Sequence, residues 1–170
     1  MVHLLGWDHN LQDYELIEHD EDIRKIEYSI KDKFYKLTTA IISKNRIRFV
    51  GEECKRGAKT IARIVAGELA CPYDEIDMPL EERANHGIAR DYQLSGAAEV
   101  DRVYKLREQY MFDKITSKSG FDGEKLIVCG AEHLKGLAAR FTSHGQIVDV
   151  RDLTKEDWLK KIYQAKFEKL

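Results

Sequence analysis

Only two prolines and three cysteines occur in the 170 residues, and neither charge sign dominates. Each shortage excludes something. Cys54, Cys71 and Cys129 are odd in number and widely spaced, fitting neither a zinc knuckle nor a Cys-x-x-Cys redox pair. Reduced thiols in a cytoplasmic protein are the reading they support. Lys and Arg number 28 against 30 Asp and Glu, a net charge of −2. No basic excess points to nucleic acid or to an acidic membrane surface. No apolar run approaches the ~20 residues that cross a bilayer. The first strand starts almost at Met1, so no signal peptide is expected.

What is present is an ordinary globular balance, 43 % hydrophobic and 34 % charged, in a length that suits one domain spanning 1–170. Leu126-Ile-Val-Cys129 runs without alternation, as a strand buried on both faces does. Gly130 follows, and Leu134, Leu137, Ala138 and Phe141 then repeat at helical spacing. His133 is thereby placed where a strand hands over to a helix. The chain opens in the same way, with Val2-His-Leu-Leu5 before Gly6-Trp-Asp-His9. Two copies of strand-Gly-x-x-His, over a hundred residues apart, mark one kind of place twice: each glycine is expected to turn the chain off its strand, and equal offsets from neighbouring strands to set both rings at similar heights above the sheet.

Between them, helices and strands alternate. Ile23, Ile26, Ile30, Phe34, Leu37 and Ile41 form one apolar stripe. Strands are expected at Ile47–Val50, around Ile76 and at Gln146–Val150, with helices at about 58–70, 80–86, 97–116 and beyond Thr154, where Thr154-Lys-Glu-Asp157 resembles a capping box. Asn10 to Asp20, and Lys118-Ser-Gly-Phe-Asp-Gly123, read as polar loops. This alternation predicts a three-layer α/β fold, a mainly parallel sheet of about five strands with helices on both faces. A doubly wound order 3-2-1-4-5 would set strands 1 and 4 side by side, with Glu52 on the adjoining strand.

The expected strand ends carry His9 with Asp8, Glu52 with Glu53, Asp77, and His133 with Glu132. Imidazole and carboxylate together suit manganese, zinc or iron, or can position a water. Polar residues also gather at strand ends simply because loops are exposed. Gly51-Glu-Glu-Cys-Lys-Arg-Gly-Ala-Lys-Thr60 is not a phosphate loop: five residues separate its glycines, and Ala58 precedes Lys59. Cys54, beside Lys55 and Arg56, is expected to have a lowered pKa. Arg107 falls on the core-facing stripe of its helix and must find a carboxylate, a carbonyl or a ligand there; Glu52, Glu53 and Asp77 are the candidates. Arg83 is placed to pair with Asp77.

With these residues in hand, the chain resembles the superfamily joining TraB/PrgY, the TIKI proteases, erythromycin esterase and the haem-binding ChaN proteins. The resemblance rests on Gly6-Trp-Asp-His9, Glu52, Arg107-Glu-Gln-Tyr-Met111 and Gly130-Ala-Glu-His133. It implies a hydrolase of ester, peptide or amide bonds, with paired histidines and a glutamate around a divalent metal or a catalytic water. His9, His133 and Glu52 would be metal ligands or hold the water. Glu52 would serve as ligand or base, with Glu53 in reserve, and Arg107 would steady an oxyanion. A small-molecule or peptide substrate is expected, with a protein partner or homo-oligomer open. Two alternatives remain: a non-catalytic binding or assembly module on a degenerate hydrolase fold, and a haem- or cofactor-binding protein.

Overall fold

The computed structural model of the chain describes residues 1–12, 20–117 and 123–168. Of the polar stretches expected at Asn10–Asp20 and at Lys118–Gly123, residues 13–19 and 118–122 lie outside the described residues. In chain order the strands and α-helices are β1 (Val2–Trp7), α1 (Glu21–Lys44), β2 (Phe49–Glu52), α2 (Ile61–Glu68), β3 (Tyr73–Glu75), α3 (Leu80–Asn85), α4 (Ala97–Ser117), β4 (Lys125–Gly130), α5 (Leu134–Ser143), β5 (Val148–Asp152) and α6 (Asp157–Glu168). All five strands are parallel, in the order β3-β2-β4-β1-β5. The three-layer α/β expectation holds.

The order corrects the expected 3-2-1-4-5. Strands β1 and β4 are neighbours, but β4 lies between β1 and β2. The end of β2 therefore adjoins the strand of His133, not that of His9. Chain reversal after β3 brings β4 back into the middle, where both faces are covered. Its run Leu126–Cys129 is wholly buried, as its unbroken hydrophobicity requires.

Alternation along the strands divides the core in two. Leu5, Trp7, Val50, Leu126 and Val128 face Phe34, Ile61, Val65 and Leu159, the layer of α1, α2 and α6. Val2, Leu4, Phe49, Ile127 and Cys129 face Met111, Phe112, Ile115, Leu137 and Phe141, the layer of α4 and α5. Trp7 stacks on Phe34, ring centroids 4.0 Å apart. Asp20 caps α1 by accepting from the N–H groups of Asp22 and Ile23, a contact worth about 1 kcal/mol.

The glycines of the two motifs act differently from expectation. Neither turns the chain: Gly6 lies inside β1, and Gly130 ends β4. They permit close approach. A side chain on Gly6 would run into Leu134, and one on Gly130 would lie 2.6 Å from both His9 Nε2 and Glu132 Oε1. The offsets are not level either, since Trp7, not Gly6, pairs with Gly130. At the other end, Thr154 does not cap α6. Asp152 instead accepts from the Thr154 N–H and hydroxyl and caps a short 3-10 turn, Leu153–Lys155.

Candidate functional site

The site is built on the C-terminal ends of β1, β2 and β4, with α4 supplying one wall. Its hub is Glu53. Past the end of β2, alternation turns Glu53 towards the α4 layer and Glu52 towards α2. Glu53 Oε2 accepts the backbone N–H of Gly130 at 2.8 Å. Glu53 Oε1 receives the guanidinium of Arg107 and stands 3.4 Å from Nε2 of His9 and 3.4 Å from Nε2 of His133. The two Gly-x-x-His motifs thus meet on one carboxylate oxygen.

Each imidazole is also held from its far side. His9 Nδ1 lies 2.9 Å from the side-chain oxygen of Gln12, whose amide nitrogen donates to the Glu53 carbonyl at 3.0 Å. His133 Nδ1 lies 3.3 Å from Glu108 Oε1, and its ring meets Tyr104 edge-on at 4.9 Å. Each ring thus has an oxygen at hydrogen-bond distance from Nδ1 and the Glu53 carboxylate at ion-pair distance from Nε2, where His133 Nε2 is buried without a hydrogen bond of its own. His133 is wholly enclosed, whereas the His9 side chain is 39 % exposed, with Glu132 Oε1 3.8 Å from its Nε2. His9 is therefore the imidazole at the mouth.

The electrostatics follow. Burial disfavours a charge on His9, but hydrogen bonding and attraction from Glu53, helped by Gln12 and Glu132, push its pKa up to about 9. Burial likewise opposes His133, and Glu108 and Glu53 raise it to about 9. Burial also opposes ionisation of Glu53, yet His133, His9 and Arg107 hold its carboxyl well below the ordinary 4.5. Arg107 is fixed by three acceptors: Glu53, Asp77 Oδ1 at 2.9 Å, and the Tyr92 hydroxyl at 3.0 Å. Asp77 is held in turn by Arg83.

Of the residues expected at the site, His9, His133, Glu53 and Arg107 are brought together. Glu52 is not. It is buried on the other face of β2, accepting from the hydroxyls of Thr60 and, at 2.8 Å, Tyr73. Arg107 meets Glu53 and Asp77 as its place on the stripe required. Enclosed by those acceptors, it positions Glu53 rather than standing open to an oxyanion. Cys54 is corrected outright: burial and the nearby Glu52 charge push its thiol up to about 12, so Lys55 and Arg56 do not activate it. Sequence reasoning missed Glu108, Gln12 and Tyr92. Glu108 had a signal, since it shares the inward spacing of Met111 and Ile115 on α4. Gln12 follows His9 by three residues, just past the 3-10 turn His9–Leu11, too generic a pattern to single out.

The donor set does not fit the divalent ion that the resemblance implied. Among the described residues, no group of three or more His, Cys, Asp or Glu could hold a metal ion. The physical reasons are plain: Glu52 faces away, and the Glu53 oxygen nearest both imidazoles already receives the Arg107 guanidinium. A cation there would face another at close range.

In comparisons with known proteins no family model matched the chain, and neither the curated proteins nor the solved structures gave a match. Among the described residues no helix is long and apolar enough to cross a membrane.

Proposed function

We propose that the chain is a hydrolase of small ester or amide substrates, with His9 as proton-transfer group and Glu53 as the carboxylate that orients it. One observation carries the reading: a half-exposed imidazole and a buried one converge on the same oxygen of a buried carboxylate. Hydrolysis needs a group that takes a proton from the attacking water. Neutral His9 would take it, and Glu53 would stabilise the resulting imidazolium, as the carboxylate of a Ser-His-Asp triad does. Arg107, His133 and the Gly130 N–H keep Glu53 ionised and fixed. Once it has taken the proton, the His9 imidazolium at the mouth would also favour the negative charge that develops on a carbonyl oxygen. The resemblance to the TraB, TIKI and erythromycin esterase superfamily supports the same class. We place the protein in the cytoplasm, a setting that its three unpaired cysteines suit.

The experiment is a panel of model esters and amides, assayed with wild type and His9→Ala, with and without a chelator, across pH. Chelator-resistant hydrolysis, with kcat/KM rising with pH and levelling near 9, is expected. Loss of His9 should cost roughly 10²-fold or more. Hydrolysis abolished by chelator would restore the metal-assisted form. Absence of any turnover would replace the enzyme by a binding module on the same scaffold.

A further inference from the structure

We propose that two copies of the chain pair through the outer edges of β5, antiparallel about a two-fold axis at Val150, joining two five-stranded sheets into one of ten. Among the described residues no strand lies beyond β5. An uncovered strand edge presents backbone N–H and C=O groups to any second strand. The strand reads Val148-Asp-Val-Arg-Asp152, and its outward residues are open: the side chains of Asp149 and Arg151 are 66 % and 47 % exposed, and Val150 is 47 % exposed.

The partner follows from the order of the charges. Full overlap of two β5 strands in antiparallel alignment puts the central residue, Val150, on the axis opposite its own copy. That register sets Asp149 opposite Arg151 of the other copy, and Arg151 opposite Asp149. Residues directly opposite share a sheet face, so each pair is in reach of an ion contact. Val150 meets Val150 on the other face, covering the exposed apolar side chain. Charges on a strand edge commonly prevent pairing. Here the two signs are arranged so that self-pairing satisfies them. The opposite edge shows the contrast. Strand β3 reads Tyr73-Asp-Glu75, and the same operation would set Asp74 against Asp74. Of the two sheet edges among the described residues, β5 alone is complementary to itself.

Neither side chain must abandon a buried partner to pair. Asp149 lies 3.2 Å from the buried His3, and Arg151 2.9 Å from the partly exposed Glu156, and Asp149 and Arg151 are themselves the more exposed members of these contacts. A carboxylate and a guanidinium can each serve two partners at once.

Charge reversal tests this directly. Sedimentation velocity across a concentration series should show a wild-type dimer. Asp149→Arg sets Arg against Arg, and Arg151→Asp sets Asp against Asp, so each variant alone should self-associate about tenfold more weakly or worse. An equimolar mixture of the two variants puts Arg opposite Asp at both pairs, and should recover a heterodimer. Val150→Lys, which sets two cations across the axis, should also give monomers; circular dichroism verifies that all three variants are folded. A wild type that stays monomeric throughout, single reversals that dimerise as wild type does, or a mixture that fails to recover the dimer would each overturn the proposal.

Discussion

Glu108 and Gly136 occupy one another's space: the Glu108 carboxylate lies where a side chain at position 136 would stand. Helix α5 tolerates a glycine there because the gap admits the group that holds His133 Nδ1. Gly136→Ala would ordinarily strengthen a helix by ~0.8–1 kcal/mol. Here it must expel a buried carboxylate. The expected outcome is a folded protein whose His133 titrates below its present value of about 9, because the contact that raises it most is gone. NMR titration of the imidazole resonances checks this, and Glu108→Gln should move His133 in the same direction.

Gly6→Ala tests the other close approach. The new methyl would overlap the Leu134 side chain and lie 3.2 Å from the Ala131 Cα, which is backbone and cannot swing aside. Overpacking of this kind costs about 1–3 kcal/mol. The urea midpoint should fall with no change in slope.

Stability should fall as the solution becomes alkaline. His9 and His133 have folded-state pKa values raised from 6.5 to about 9. Their contribution is fully present below 6.5 and is lost as pH rises through about 9. Glu53 acts in the opposite direction. Its lowered value gives stability that is present above about 4.5 and lost as pH falls through the folded value. A plateau between about pH 5 and 6.5 is expected, with loss on both sides. Denaturant midpoints measured from pH 4 to 10 check it, and Glu53→Gln should flatten the alkaline limb.

Much of this was readable in the chain because periodicity reports burial. The unbroken run Leu126–Cys129 announced a strand covered on both faces, and the stripe from Ile23 to Ile41 announced α1. The inward position of Arg107 was legible for the same reason, and so was its need for carboxylates. What the sequence could not settle was which of two adjacent glutamates faced the histidines. One residue of register exchanges the two faces of a strand. The expected β2, Ile47–Val50, begins two residues too early and stops short of the glutamates, leaving their direction undetermined. The exchange of β1 and β4 in the sheet was equally hidden, because local pattern carries no information about which strand lies beside which. The role of Gly6 and Gly130 was misread as turning for a related reason: close approach depends on Leu134 at Gly6 and on His9 at Gly130, each distant in sequence from the glycine it meets.

The central claim is that Glu53, not Glu52, orients His9 for proton transfer. Its most direct test is kcat/KM for the best model ester, compared between Glu53→Gln and Glu52→Gln in protein verified as folded. Glu53→Gln should lose about 10²-fold or more, while Glu52→Gln, altered on the far face of β2, should keep activity within a fewfold. Equal activity in Glu53→Gln and wild type, or a selective loss in Glu52→Gln, would contradict the account.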